Sequence, residues 1–216
     1  VSGLVIGILG GTGDEGRGLA LRFAQAGHPV IIGSRSQERA TAAAAGLGAQ
    51  LGIRGMGNAA AAMAADVVIV AVPWAGHGDL LTSLAAELSG KIVVDCVNPL
   101  GFDARGAFPL PVPEGSAAAQ AAALLPDSRV VGAFHHVSAV QLLAPEVADL
   151  DMDVLVLGDD RAATDLVQAL AARIPGVRGI YAGSLRNCGQ VEALTANLVA
   201  INRRYKAHAG LRVTDL

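Results

Sequence analysis

The chain has 216 residues, of which 52% are apolar, 16% charged and only 3% aromatic, with a formal net charge of −3. That length supports one well-buried core, or one domain with a smaller appendage. An acidic balance argues against nucleic acid as a partner, and no apolar run reaches the ~18 residues of a membrane span. The two cysteines, Cys96 and Cys188, lie far apart without metal-ligand spacing. They predict ordinary buried thiols in a reduced, cytoplasmic protein. Val1-Ser2-Gly3 runs straight into an apolar stretch with no signal-peptide pattern, so export is not expected.

Short aliphatic runs alternate with helical patterns from the start of the chain, the signature of βαβ units and a parallel sheet. Strands are predicted at about 4–10, 29–33, 66–72, 91–95 and 129–134, and helices at about 14–27, 36–47, 57–64, 76–88 and 116–125. The runs LVIGILG, DVVIVAV and KIVVDCV are apolar without alternation, as strands covered on both faces should be. After Pro145 come a strand near 153–158, a helix near 160–173 and a strand near 177–182. A last helix near 187–208 carries Val191, Leu194, Leu198 and Ile201 as an inward stripe. The pattern predicts an α/β fold: a Rossmann-type, doubly wound, mainly parallel sheet over residues 1–149, with a small C-terminal domain over 150–216. Residues 96–115, with four prolines, read as a long connection, either a lid or substrate wall or a rigid surface crossover.

Gly11-x-Gly13-x-x-Gly16 follows the first strand and opens the first helix. Gly11 permits the tight turn, Gly13 lets the backbone approach a pyrophosphate, and Gly16 lets the helix pack close to the sheet. The pyrophosphate would rest on the free N–H groups of Asp14, Glu15 and their neighbours, where the helix dipole favours negative charge. After the second strand the chain reads Gly33-Ser34-Arg35, where an NAD site would place a carboxylate for the ribose 2′-OH. The first carboxylate, Glu38, comes a turn too late. Ser34, Arg35, Arg39 and the Thr12 hydroxyl are instead the donors a 2′-phosphate needs, so the expected cofactor is NADP(H).

In such a fold the ligand lies beyond the C-terminal strand ends, here Val72-Pro73-Trp74, Asn98-Pro99-Leu100 and His135-His136-Val137-Ser138. Trp74 either flanks a flat substrate or packs into the core. The histidine pair either supplies a proton donor near pH 7 or divides into one structural and one exposed ring. His77 has no evident ligand partner. No Ser-His-Asp, Tyr-x-x-x-Lys or metal-ligand cluster is present, which suits hydride exchange between two redox cofactors that need only alignment.

The segments ILGGTGDEGRGLALRFAQAGHPVIIGSR, AVPW, VVDCVNPL, AFHHVSA and VEALTANLVAINRRYKAHAG, in this order over essentially the whole chain, resemble the NADPH-dependent reductases of the deazaflavin coenzyme F420. The resemblance implies direct hydride transfer between nicotinamide C4 and deazaflavin C5 in a cytoplasmic homodimer, at a cleft between a Rossmann domain and a small C-terminal domain. It implies 2′-phosphate contacts at Thr12, Ser34, Arg35 and Arg39, a catalytic histidine beside the deazaflavin at His135, backbone contacts to the nicotinamide amide at Ser138 and Ala139, and a wall at Pro73 and Trp74. One segment departs from the pattern. Where the family often has Leu-Ala-Asn-Ala-Arg, this chain reads Leu185-Arg186-Asn187-Cys188-Gly189. Arg186, Arg203, Arg204 and Lys206 are candidate cations for an acidic deazaflavin tail. Two other functions fit the residues: reduction of a small imine or carbonyl, or NADPH sensing without chemistry.

Overall fold

The computed structural model describes Val1 and residues 3–216. The chain opens with β1 (Ile6–Leu9), α1 (Asp14–Gln25), β2 (Val30–Ser34), α2 (Gln37–Ala45), β3 (Arg54–Gly57), α3 (Asn58–Ala64) and β4 (Val67–Val70). A 3-10 turn at Trp74–Gly76 leads into α4 (His77–Ser83), α5 (Ala85–Leu88) and β5 (Ile92–Asp95). Then follow β6 (Leu100–Asp103), β7 (Gly106–Pro109), α6 (Ala117–Leu124), β8 (Arg129–Gly132) and α7 (Ala139–Leu143). β9 (Met152–Gly158), α8 (Arg161–Ala171), β10 (Val177–Gly183) and α9 (Cys188–Tyr205) complete it.

Eight strands form one sheet in the order β10-β9-β8-β5-β4-β1-β2-β3. All neighbours pair in parallel except β8 and β9, which meet antiparallel through Val131↔Gly158 and Gly132↔Leu157. Alternation along the strands divides the core in two. Ile6, Ile8, Ile32 and Ile69 pack with Leu19 and Phe23 on one face. Leu9, Ile31, Val68, Val70 and Val93 pack with Ala61, Leu81 and Leu88 on the other. Both faces are covered, which is why these runs show no polar alternation. Among the described residues no helix is long and apolar enough to cross a membrane.

Four features differ from the sequence expectation. β3 has no aliphatic run; its Gly55 lies so close to Ala40 and Thr41 of α2 that a Cβ would collide with backbone, so its glycine marks close packing, not a break. The helix expected over 76–88 is interrupted at Leu84. Residues 96–115 hold the antiparallel hairpin β6–β7, whose turn is closed by Asp103 Oδ1 accepting from the Arg105 and Gly106 amides. Finally, α7 fills a stretch with no predicted element. Ser138 is its N-cap, and the buried Arg22 guanidinium donates to the carbonyl oxygens of Gln141, Leu142 and Ala144 at its C-terminal end.

β9 and β10 lengthen the same sheet, so the strands beyond residue 149 share the hydrogen-bonded layer of those before it. The tail is pinned to β9 by buried Asp153, which accepts from Arg178 at 2.6 and 2.7 Å, from Arg212 at 3.1 Å and from the Val213 amide at 2.6 Å. These donors hold its carboxyl well below the usual carboxylate range, against the opposing effect of burial.

Candidate active site

Strand order reverses between β1 and β4, and the loops leaving these two strands diverge. Over their C-terminal ends lies a cleft of about 940 Å³. The glycine loop forms its floor. Gly10 has φ +67°, a conformation suited to glycine, and the Gly11 amide bonds to the Gly33 carbonyl at 3.1 Å. A Cβ at Gly16 would meet the Gly11 Cα at 2.5 Å, so loop and helix touch backbone to backbone. Gly13, the N-cap of α1, is the opposite case: a Cβ there would meet nothing within 4 Å, because it points into the cleft. The first amides of α1 lack intrahelical acceptors and face the same space. Asn58, which the sequence reading missed, steadies the loop through a long contact of 3.4 Å from the Gly10 amide.

At the β2 end of the cleft, buried Ser34 and exposed Arg35 and Arg39 line one wall with Thr12. Neither arginine has a carboxylate partner within ion-pair distance among the described residues. Glu38 is occupied elsewhere: its Oε2 accepts from the Ser36 hydroxyl at 2.6 Å, and Ser36 caps α2 by accepting from the Arg39 amide. This end therefore presents two free cations and two hydroxyls, with no carboxylate for a ribose diol.

The other end is built by strand ends β4, β5 and β8 together with α9. Val72, Pro73 and Trp74 form one wall. Trp74 lines the cleft, and its ring lies 5.4 Å from the His77 ring. Opposite, the His135 carbonyl oxygen accepts from Asn98 Nδ2 at 2.7 Å and from Thr195 Oγ1 at 3.1 Å. Phe134, at φ 64°, sets this turn; a left-handed non-glycine residue at a strand end is a costly conformation. The His135 ring is buried, with neither nitrogen hydrogen-bonded to a protein group among the described residues, and burial pushes it down to about 4. Burial thus keeps the His135 ring neutral near pH 7. His136 is also buried and pushed down to about 4 by burial, so the exposed partner envisaged for the pair does not exist.

Beneath this end lies a buried polar network. His77 Nε2 lies 2.6 Å from Asp95 Oδ2 and its Nδ1 lies 3.0 Å from Gln120 Oε1, both pair members being fully buried. His77 thus has a partner, contrary to the expectation from its neighbours in sequence. Burial alone would push the imidazole down, but hydrogen bonding and charge from Asp95 raise it. Asp95 also accepts from the Val97 amide, fixing the strand end that carries Asn98. Glu192 of α9 accepts from the Ala117 and Ala118 amides at the start of α6, and burial pushes it up to about 7.

Of the sequence-derived site residues, Thr12, Gly13, Asp14, Glu15, Gly16, Ser34, Arg35, Arg39, Val72, Pro73, Trp74, His135 and Ala139 all line the cleft. Gly11 and Ser138 stand behind it, one supporting the loop and the other capping α7. Arg186, Arg203, Arg204 and Lys206 do not line it. The departure at Gly189 has a steric cause: any side chain there would collide with the Gly115 carbonyl oxygen. The sequence reading also missed Thr195, whose only local signal is a polar residue between Leu194 and Leu198 on an apolar helix face.

The donors, open Gly13 backbone and unpaired cations fit a dinucleotide bearing a 2′-phosphate. Comparison with known proteins agrees. Residues 5–99 match the family model described as NADP oxidoreductase, coenzyme F420-dependent. The chain is 39% identical over 222 residues to an F420-dependent NADP reductase of Methanothermobacter thermautotrophicus, covering 98% of this chain and 95% of that one. It is 40% identical over 226 residues to that of Methanocaldococcus jannaschii, covering 98% of both. A crystal structure of a candidate F420-dependent NADP-reductase from Arthrobacter sp. FB24 superposes with a TM-score of 0.84 at 28% identity, covering 98% of this chain and all of the other. With that identity spread over nearly the full length, the chain belongs to the F420-dependent NADP reductase family.

Proposed function

We propose that this protein is an oxidoreductase that passes a hydride directly between C4 of NADP(H) and C5 of the deazaflavin coenzyme F420. The observation that carries it is the pair of free arginines beside Ser34 at one end of a cleft whose floor is an open glycine loop. Bound there, NADP(H) supplies or accepts the hydride; the protein's part is to bind, orient and exclude water. Arg35, Arg39, Ser34 and Thr12 hold the 2′-phosphate, and Gly11 to Gly16, with the first amides of α1, hold the pyrophosphate. Val72, Pro73 and Trp74 form one wall of the ring end, with the Ser138-Ala139 backbone at the nicotinamide amide. His135, Asn98 and Thr195 form the deazaflavin side, where the neutral His135 ring offers a hydrogen bond and no charge.

In this reading residues 1–149 carry NADP(H), and residues 150–216 close the cleft. Thr195, which lines the cleft from beyond position 149, supports that division. A homodimer is supported by exposed Phe102 and Phe108 on the hairpin and Ile201 and Tyr205 on α9, large apolar side chains that a second copy would cover. Two buried, unpaired thiols suit the cytoplasm. The test follows the absorbance of oxidised F420 mixed with the protein and NADPH, with NADH as control. Loss with NADPH and little with NADH is expected; no loss, with NADPH binding shown separately, refutes the proposal.

A further inference from the structure

Two carboxyl groups line the cleft, Asp14 and Glu15. Asp14 is exposed, whereas Glu15 is half-buried, with Oε1 sealed from solvent and without a hydrogen-bond partner among the described residues. In the first turn of α1 the helix dipole favours a carboxylate. Burial outweighs it and pushes Glu15 up to about 8, so the group holds its proton at neutral pH.

Its position along the cleft is also defined. Glu15, Leu19 and Phe23 share one face of α1, and the Phe23 ring lies 6.0 Å from Phe134, which precedes His135 after β8, beside β5 and the Cys96 that follows it. Arg35 follows the end of β2, and in the order β5-β4-β1-β2 the two ends are three strand spacings apart, roughly 14 Å. A dinucleotide with its 2′-phosphate at Arg35 and its pyrophosphate over Gly13 therefore brings its ring to the end that Glu15 shares with Cys96, Val97, Asn98 and His135. The titratable groups lining the cleft around Glu15 are Asp14 on α1, Arg35 and Arg39 from β2 and α2, Cys96 after β5 and His135 after β8. Burial pushes the Cys96 thiol up and the His135 ring down, so both are neutral at pH 7. The two arginines lie at the far end. Beneath this end Asp95 is bonded to His77 and Glu192 to the α6 amides, so Glu15 is the carboxyl that lines the ring end of the cleft with a sealed oxygen lacking a partner among the described residues.

We propose that Glu15 reads the oxidation state of the bound nicotinamide, its carboxyl staying protonated beside the uncharged reduced ring and releasing its proton to solvent beside the cationic oxidised ring. The proposal rests on the dinucleotide reading above. Charge balances: a hydride carried with its electron pair from nicotinamide C4 to deazaflavin C5 leaves one positive charge on the ring, and Glu15 meets it by losing one proton. The reduced deazaflavin takes up one proton in turn. In the reverse direction the carboxylate takes its proton back. A buried site that stays neutral overall avoids the cost of an unpaired charge in a poorly solvated place.

The test is calorimetric titration of NADP+ and of NADPH into the full chain near pH 7, in two buffers of different protonation enthalpy, which counts protons. Close to one proton is expected to leave on NADP+ binding relative to NADPH. The 2′-phosphate titrates near pH 6 in both nucleotides and cancels. NADP+ affinity relative to NADPH should rise by up to about tenfold per pH unit from pH 6 toward 8 and then level off. Glu15→Gln should abolish both the proton and this pH dependence. Equal proton counts for the two nucleotides, or release that survives in Glu15→Gln, would overturn the proposal. If the variant does not fold, the pH series on the unaltered protein decides by the same criterion. Failure of both nucleotides to bind would overturn the dinucleotide reading as well, whereas binding with equal proton counts would overturn this inference alone.

Discussion

Gly13 and Gly16 lie three residues apart in the same loop, yet the structure gives alanine at each a different consequence. At Gly13 an added Cβ meets no protein atom, and the backbone, at φ −77° and ψ 170°, is open to any residue. Restricting the unfolded chain gains ~0.4–1 kcal/mol, while alanine is a poorer N-cap than glycine by a similar ~0.5–1 kcal/mol. The net stability change should be near zero. The methyl group instead occupies the space through which a pyrophosphate approaches the α1 amides, and losing one charge-assisted hydrogen bond of ~1.5–3 kcal/mol weakens binding by about 10- to 150-fold. At Gly16 the Cβ meets the Gly11 Cα at 2.5 Å, a backbone contact that cannot rotate away. Overpacking of that kind costs ~1–3 kcal/mol, read as a drop in Tm of ~2–12 °C for a chain of this size. Thermal melts and fluorescence titration with NADPH separate the outcomes. Gly13→Ala should melt like the unaltered protein and bind poorly, and Gly16→Ala should melt early. A Gly13→Ala protein that binds NADPH normally would show that the open space is not the ligand's.

Arg35→Ala should weaken NADPH by roughly tenfold, at the low end for a charge-assisted contact because the side chain is exposed and screened by salt; NADH affinity should not change, and an equal loss for both would sink the phosphate assignment. Asp95→Ala removes one partner of a fully buried pair. The expected cost is ~3–5 kcal/mol, so calorimetry showing an unchanged Tm would refute the structural weight given to that pair. Stability of the ligand-free protein should fall as pH rises from 6.5 to 8. Glu15 and Glu192, raised from 4.5 to about 8 and about 7, and His77, raised from 6.5, all hold protons in the folded chain that the unfolded chain has lost. From pH 6.5 down to about 4.5 the two glutamates are offset by His135 and His136, which burial holds near 4 in the fold against 6.5 unfolded; under that window stability should fall, because Asp153, held well below the usual carboxylate range by Arg178, loses its charge-assisted contacts. Melts from pH 4 to 8.5 should show a plateau between these limits; a steady rise to pH 8 would contradict the burial of Glu15. His135→Ala should lower deazaflavin turnover and leave NADPH affinity nearly unchanged, and stopped-flow traces identical to the unaltered protein would make the residue purely structural.

The sequence by itself determined what rests on contiguous residues. The runs around Ile6, Val67 and Ile92 are buried on both faces because a parallel sheet covers both, and that pattern shows in the bare sequence. The glycine loop and Ser34-Arg35 are equally local, since a turn and the strand end after it lie within a few dozen residues. Tertiary structure alone decided what depends on distant partners. β3 and the hairpin at 100–109 exist through pairing and packing rather than propensity, so no hydrophobic period announced them. His77 meets Asp95 eighteen residues away, and Thr195 reaches the His135 carbonyl across sixty. Protonation followed burial in the same way. A glutamate in a first helical turn reads as a solvated carboxylate and a strand-end histidine as a proton donor, until desolvation in the folded cleft keeps the first protonated and the second neutral.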